Sequence, residues 1–139
     1  MLMYRLAIFL LSIILWVKIV PLSFANADEI PITTCDFATL KSAIITLEGD
    51  AGGIITLDCA GVIRFTEKMT IATDITIKGT ENTILDGYGE FTLFYVTGAL
   101  TLDTVTIQKG WNAVDNYGDL TVINSLFDDN RAFAFGAAI

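Results

Sequence analysis

The sequence contains no histidine, and its basic residues are half as numerous as its acidic ones, 8 Lys plus Arg against 16 Asp plus Glu. Without an imidazole, Ser-His-Asp and Cys-His nucleophile activation and His-ligated zinc are excluded. The formal net charge of −8 repels phosphate backbones and no basic patch offsets it, so we expect no nucleic-acid partner. A length of 139 residues predicts a single domain.

Residues 1–27 have the pattern of a secretory signal peptide. A short basic start precedes twelve almost entirely apolar residues, Leu6 to Val17, and Ala25-Asn26-Ala27 fits a small-x-small cleavage site. Twelve helical residues span about 18 Å, short of the ~30 Å hydrocarbon core; an uncleaved membrane anchor is the alternative, since apolar residues resume at Ile19. Cleavage leaves 6 basic and 16 acidic residues, a net charge of −10. We therefore expect an exported, acidic protein.

Residues 28–53 are predicted to form an N-terminal cap that contains one short helix. Asp36 is a favourable N-cap residue, and the apolar residues after it recur at helical spacing on one face: Phe37, Leu40, Ala43, Ile44 and Leu47. The glycine-rich stretch 49–53 ends the helix. Over residues 54–139 the hydrophobic period is two, with β-branched residues and glycine turns, which predicts only strands and turns.

The strand region repeats an apolar-Thr-apolar tripeptide. Its central threonines follow one another after 20, 25 and 20 residues: Thr56, Thr76, Thr101 and Thr121. This spacing is typical of a solenoid whose coils each hold about three short strands. Because side chains alternate along a strand, we expect one outward threonine ladder with the apolar neighbours facing a common interior. An antiparallel sandwich of hairpins is the alternative, but it does not explain the repeated tripeptide.

A second repeat consists of short segments that each end in a residue able to adopt the left-handed backbone conformation. Gly87, Gly110 and Asn130 occupy this position and are predicted to be the corners of successive coils. A third, looser repeat contains Phe94-Tyr95-Val96, Val114 and Ile139. Three repeats in each coil agree with three short strands joined by turns.

Several segments resemble known proteins. Phe127-Asp128-Asp129-Asn130 matches the Phe-x-x-Asn motif of polymorphic outer membrane proteins, and Gly136-Ala137-Ala138-Ile139 is similar to their Gly-Gly-Ala-Ile motif, with alanine for the second glycine. Upstream, Cys35 followed by Thr39-Leu40-Lys41-Ser42-Ala43-Ile44 resembles the Cys-Ser-Leu-Arg-Glu-Ala-Ile segment of many secreted bacterial right-handed β-helix proteins. The resemblance covers residues 35–139.

This resemblance, to adhesin-like members of the pectate-lyase-like β-helix superfamily, implies an all-β fold: a right-handed parallel β-helix behind an N-terminal capping α-helix. It also implies a noncatalytic segment, adhesin-like or autotransporter-passenger-like, that is secreted or displayed at the cell surface or outer membrane. The alternative is the N-terminal part of a polysaccharide lyase or hydrolase whose catalytic coils lie beyond residue 139. The expected partner is a surface ligand or a polysaccharide, and we expect no catalytic residue, metal or cofactor within this sequence.

Cys35 and Cys59 admit two interpretations. In an exported chain an even cysteine count favours a disulfide, which would tie the cap to the first coil and contribute about 3 to 4 kcal/mol by closing a loop of about 25 residues. Two small buried thiols are the alternative, because Cys59 follows an apolar strand. Two thiols without a histidine do not make a zinc site.

Asp128 and Asp129 are the only adjacent acids of the strand region. Neighbouring residues of a strand point to opposite faces, so the pair could act together only in a turn, where solvated acids are ordinary. We therefore predict a solvated turn rather than a catalytic or calcium site. The larger aromatic residues admit two roles, a sugar-stacking stripe or coil packing: Tyr88, Tyr95, Trp111 and Tyr117.

The sequence stops at Gly136-Ala137-Ala138-Ile139 without a polar capping element. Solenoids need capped ends, because an open coil offers unpaired backbone groups beside apolar side chains. We therefore expect the N-terminal part of a longer protein or a truncated product, whose open terminal coil self-associates or stays partly unfolded when the chain is expressed alone. Attachment to a membrane is expected only through the signal peptide or through an anchor downstream of residue 139.

Overall fold

The computed structural model of this protein describes residues 27–131. The predicted signal peptide, apart from Ala27, and the motif residues Gly136 and Ile139 lie outside the described residues. Within residues 27–131 the chain forms one helix, α1 (Phe37–Gly49), and twelve strands. This described part of the chain contains no helix that is long and apolar enough to cross a membrane. The strands are β1 (Asp28–Ile32), β2 (Gly52–Leu57), β3 (Gly61–Arg64), β4 (Met69–Ile71), β5 (Asp74–Lys78), β6 (Thr83–Asp86), β7 (Phe94–Val96), β8 (Ala99–Asp103), β9 (Thr106–Gln108), β10 (Val114–Asn116), β11 (Asp119–Ile123) and β12 (Leu126–Asp128).

The strands form three parallel sheets. The first sheet has the order β1-β2-β5-β8-β11, the second has β3-β6-β9-β12, and the third has β4-β7-β10. From β2 onward the chain enters the first, second and third sheets in turn and then returns to the first, beside the strand that it formed one coil earlier. The fold is therefore mostly β with parallel sheets, compatible with the expected all-β class, and the antiparallel sandwich is wrong.

Alternation along the strands produces one hydrophobic core. In β2, β5 and β8 buried residues alternate with more exposed ones, as the period of two predicts. Buried residues of all three sheets belong to one cluster. Branched aliphatic side chains dominate it, including the fully buried Ile55, Leu57, Ile63, Ile71, Ile75, Ile77, Leu85, Leu102 and Ile107.

Helix α1 packs against β1, β2 and β4. The carboxylate of Asp36 caps it, accepting hydrogen bonds from the Thr39 hydroxyl at 2.7 Å and the Thr39 backbone N–H at 2.8 Å. These bonds hold the pKa of the Asp36 carboxyl below its usual value, and the bond from the Thr39 hydroxyl has the larger effect. The cap therefore stabilises the helix above that usual pKa and weakens as the pH falls through the lowered one. The predicted apolar face is confirmed, since its members are buried: Phe37, Leu40, Ala43, Ile44 and Leu47.

Strand β1 is an element that the sequence analysis misses. It pairs in parallel with β2, with Ile30 opposite Ile55. Pro31 argues against a strand because it has no backbone N–H to donate, but β1 lies at the edge of the first sheet, where proline is tolerated. The cap of residues 28–53 therefore contributes an edge strand as well as a helix.

The threonine ladder contains three of its four predicted members. Thr76 lies opposite Thr101, and Thr101 lies opposite Thr121. The expectation that Thr56 continues this row is wrong, because Ile54 lies opposite Thr76 and the first repeat is therefore 22 residues long. Thr56 is displaced by two residues along the same face, where its hydroxyl donates to the Glu29 carboxylate at 2.7 Å.

The predicted corner residues are displaced from the left-handed positions by one. Positive φ occurs at Tyr88 (55°), Lys109 (50°) and Asp129 (46°), beside Gly87, Gly110 and Asn130. The two glycines serve a different purpose. A Cβ atom on Gly87 would lie 2.7 Å from the Cα atom of Gly110, so these corners stack with backbone against backbone.

A second glycine contact sets the spacing of the later coils and gives a testable prediction. A Cβ atom on Gly118 would lie 2.1 Å from the carbonyl oxygen of Gly98. We expect Gly118→Ala to lower the free energy of unfolding by about 1 to 3 kcal/mol, since backbone must move to accept it. Urea unfolding measures this change. Gly49→Ala is the control, because nothing lies within 4 Å of the added Cβ; equal stability of the two variants would contradict the coil spacing.

Candidate functional site

A cleft of about 380 Å³ lies at the corner where the chain leaves the second sheet for the third. Its lining residues follow β6, β9 and β12, so three successive coils contribute to it: Tyr88, Gly89, Glu90, Lys109, Gly110, Asp129 and Arg131. The cleft therefore combines one aromatic ring, two cations and two carboxylates.

Hydrogen bonds between coils hold the backbone of this cleft. The Gly89 N–H donates to the Lys109 carbonyl at 2.6 Å, and the Arg131 N–H donates to the Gly110 carbonyl at 2.9 Å. Neighbouring strands lie about 4.8 Å apart, so the three coils span roughly 10 Å. The lining side chains are thus presented by paired backbone rather than by a free loop.

Three of the lining side chains stand on left-handed backbone, those of Tyr88, Lys109 and Asp129. This conformation costs a non-glycine residue about 1 to 2 kcal/mol, and asparagine and aspartate adopt it most readily. The corner between the first and second sheets uses it too, at Thr104 and Asn124, so it belongs to the architecture of the coil.

Tyr88 is held from two directions. The Asp86 carboxylate, only 4% exposed, accepts the Tyr88 backbone N–H at 2.7 Å and the Gln108 side-chain amide at 2.8 Å. The guanidinium carbon of Arg64 lies 4.3 Å from the centre of the Tyr88 ring. The backbone of Tyr88 is therefore fixed by a buried carboxylate and its ring by a cation.

The charged groups of the cleft are available to a ligand. Within residues 27–131 a single ion pair forms, between Lys41 and Glu67, and it lies outside the cleft. Lys109 and Arg131 are exposed and can bind an anion, while the carboxylates of Glu90 and Asp129 can accept hydrogen bonds from hydroxyl groups. This combination suits a ligand with both a carboxylate and hydroxyls.

The Phe-x-x-Asn segment contacts the backbone of the cleft residue Gly110 and the strand that precedes it. Phe127 lies opposite Ile107 and packs against the core. The side chain of Asn130 accepts a hydrogen bond from the Gly110 N–H at 2.8 Å and donates one to the Ile107 carbonyl at 2.9 Å. Both motif residues therefore tie the last described coil to the coil before it.

Asn130 gives a second prediction for stability. We expect Asn130→Ala to lower the free energy of unfolding by about 1 to 3 kcal/mol, because the N–H of the buried Gly110 loses its partner. Thermal and urea unfolding measure the loss. Asp128→Asn, at the exposed end of β12, is the matched control and should leave stability nearly unchanged. Equal stability of N130A and wild type would show that these bonds do not hold the coils together.

The four predicted aromatic residues do not form a single stripe: Tyr95 pairs with Tyr117, and Tyr88 lies at the cleft. Tyr95 and Tyr117 have ring centres 5.3 Å apart, and the Lys68 ammonium lies 4.7 Å from the centre of the Tyr95 ring. Tyr88 contacts Arg64 at the cleft, and the Trp111 backbone N–H donates to the Phe91 carbonyl at 2.9 Å.

The acidic pair is divided in a similar way. Asp129 lines the cleft from a turn, whereas Asp128 ends β12 opposite Gln108. Both side chains are exposed. The solvated-turn prediction is confirmed for Asp129 and is wrong for Asp128, which belongs to a strand. Across residues 27–131, no group of three or more Cys, Asp or Glu side chains is placed to hold a metal ion.

Cys35 and Cys59 form a disulfide, with Cα atoms 5.6 Å apart, and the alternative of two free thiols does not apply in this structure. Cys35 precedes α1, and Cys59 follows β2 by two residues. The bond therefore attaches the entry of the helix to the first coil, far along the chain from the cleft residues.

In comparisons with known proteins, the chain matches no protein-family model, no curated protein and no solved structure.

Three of the charged cleft residues are not predicted from the sequence: Glu90, Lys109 and Arg131. Each follows a different strand, and the sequence does not show that these strands pair, so it does not show that the three residues are close together. The signal that could have found them is the corner repeat, but one extra residue after β6 displaces Tyr88 relative to Lys109 and Asp129. An alignment on Asp86, Gln108 and Asp128, which are paired in the sheet, reveals that displacement.

Proposed function

We propose that this chain is a segment of a right-handed parallel β-helix, secreted or displayed at the cell surface, adhesin-like or autotransporter-passenger-like and noncatalytic. The observation that carries the proposal is the cyclic path of the chain through three parallel sheets. Such a path stacks coils into a solenoid with an extended surface for binding.

The sheet register supports the handedness of this proposal. The connections from β5 to β8 and from β8 to β11 each join parallel neighbours of the first sheet. Crossovers of this kind are right-handed in about 98% of cases. One core shared by the three sheets is what a closed β-helical coil requires.

The disulfide supports a location outside the cytoplasm. Disulfides persist in oxidising compartments and are rare in the cytosol, so the Cys35–Cys59 bond fits an exported chain. An excess of acidic residues, 16 against 8 basic ones, also favours solubility of a displayed domain.

A polysaccharide lyase or hydrolase is the second candidate function, and the cleft is the observation that favours it. Glu90, Asp129 and Lys109 bring groups capable of acid–base chemistry to one place. The two candidates differ in turnover. Incubating the chain with acidic polysaccharides and measuring their length distribution should show no change if the coils are noncatalytic, whereas cleavage that is lost in Glu90→Gln or Asp129→Asn would establish the enzyme.

Processing and exposure test the proposed location. The full chain, produced in its native cells, should yield material whose N-terminal sequence begins at Asp28 and which proteinase K removes from intact cells or which is found in the medium. Non-reducing electrophoresis should find Cys35 and Cys59 oxidised. Intact Met1 on a protein held in the cytoplasm would overturn the proposal, and intact Met1 in the membrane fraction would support the uncleaved anchor.

A further inference from the structure

We propose that the cleft binds a singly charged acidic sugar at the end of a glycan, through its carboxylate and hydroxyl groups. The proposal rests on the proposed function, since it supplies the ligand class of a displayed adhesin-like segment. It concerns the site lined by Tyr88, Glu90, Lys109, Asp129 and Arg131.

The distribution of basic residues points to a negatively charged group. Only six basic residues follow residue 27, and two of them, Lys109 and Arg131, line this one cleft. A third, Arg64, contacts the ring of Tyr88. Three of the six cations that follow residue 27 therefore lie at one corner of a chain with 16 acidic residues. A guanidinium and an ammonium both form strong, charge-assisted hydrogen bonds with a carboxylate.

The carboxylates of the cleft limit the number of negative charges that a bound ligand can carry. Glu90 and Asp129 line the same cleft and repel a second negative charge, so a polyanion with one charge on every unit is disfavoured. Ionised carboxylates accept hydrogen bonds, and the hydroxyls of a sugar supply the donors. A ligand with one carboxylate and several hydroxyls therefore satisfies both kinds of group.

Tyr88 supplies the apolar surface that a sugar ring needs. Tyr88 is 56% exposed, and the guanidinium carbon of Arg64 lies 4.3 Å from the centre of its ring, so part of the ring surface remains accessible to a ligand. Because Asp86 fixes the Tyr88 backbone, the ring loses little freedom when a ligand binds.

The size of the cleft favours the end of a glycan. It occupies about 380 Å³ across three coils, a rise of roughly 10 Å, which accommodates one or two sugar rings. A long polymer would extend past the cleft over a chain that carries 16 acidic and 6 basic residues after residue 27. A terminal acidic sugar keeps its one carboxylate beside Lys109 and Arg131.

Lys109→Asn and Arg131→Gln separate binding from folding. Asparagine adopts positive φ more readily than lysine, so Lys109→Asn should leave the melting temperature unchanged or raise it. The Arg131 side chain is exposed, so its replacement should also leave the fold intact. Lys78→Gln is the matched control, because it removes one exposed positive charge from the first sheet, away from the cleft.

The test is titration calorimetry of the full, exported chain with two probes, 3′-sialyllactose and a trisaccharide that ends in glucuronic acid, and with lactose as the neutral control. We expect at least one acidic probe to bind, lactose to bind at least tenfold more weakly, and Lys109→Asn and Arg131→Gln each to weaken binding about tenfold or more. Lys78→Gln should bind like the wild type.

The proposal would be overturned if neither acidic probe binds, if lactose binds equally well, or if a hyaluronan hexasaccharide binds more tightly, which would indicate a polyanion site. Loss of binding in Lys78→Gln as well would show attraction to overall charge and would also overturn it. Failure of these titrations leaves export and N-terminal processing untouched, so the ligand class and the proposed function fail by different measurements.

Discussion

Replacing Phe65 with alanine is expected to lower the free energy of unfolding by about 3 to 5 kcal/mol. Phe65 is 1% exposed, and its ring centre lies 4.9 Å from that of Phe37 on α1 and 5.3 Å from that of Phe94 on β7. Truncation would leave a cavity bordered by the helix and the third sheet, where neither the helix nor the sheet can move in freely.

Urea unfolding followed by circular dichroism measures this effect. Val62→Ala is the matched control, since Val62 lies three residues away on β3 and its side chain is 45% exposed. We expect the control to change the free energy of unfolding by ~0.5 kcal/mol or less. Similar losses in the two variants would mean that Phe65 does not occupy the interior.

Removal of the disulfide has the second largest expected effect. Cys35 and Cys59 are 24 residues apart, and a loop of that length contributes about 3 to 4 kcal/mol through the entropy of the unfolded chain. The double variant Cys35→Ala/Cys59→Ala should lose about that much free energy of unfolding. Because the bond anchors the entry of α1, amide exchange in the helix should accelerate more than exchange in β8.

Addition of a reducing agent supplies the control for this prediction. Dithiothreitol should destabilise the wild-type chain to the level of the double variant and leave the double variant itself unchanged. An unfolding midpoint of the wild type that does not respond to reduction would contradict the bond's contribution.

Helix α1 and the repeat of parallel strands could be predicted because their signals are local or periodic. Asp36 and five apolar residues at helical spacing define the helix, and a fully buried face follows from that spacing. Residues 20 and 25 apart that share the same tripeptide predicted Thr76, Thr101 and Thr121 in one row. Neither conclusion required contacts that the sequence does not display.

The remaining features depend on contacts between distant parts of the chain. Thr56 has the right tripeptide but the wrong register, because the position of β2 is set by its pairing with β1 and β5. Strand β1 contains Pro31, which only an edge position makes acceptable. Gly87 and Gly110 are explained by their close approach, and no turn propensity reports that.

The cleft could not be predicted from the sequence either, because its residues come from distant parts of the chain. Lys109 and Arg131 are ordinary basic residues in the sequence, and they become neighbours only when β9 and β12 stack in register. Tyr88 joins them because one extra residue follows β6, an insertion that a strict repeat does not contain. The pairing of strands, rather than any motif, creates the candidate site.

The coil register is most directly tested by nuclear Overhauser effects between strands in the isotope-labelled full chain. The structure predicts contacts of the Thr101 methyl group with those of Thr76 and Thr121, and contacts of Ile54, but not Thr56, with Thr76. Each pair should show the Hα-to-amide pattern of parallel strands. Hα-to-Hα contacts of antiparallel pairs, or a Thr56–Thr76 contact in place of Ile54–Thr76, would contradict the stacked parallel coils that hold the cleft together.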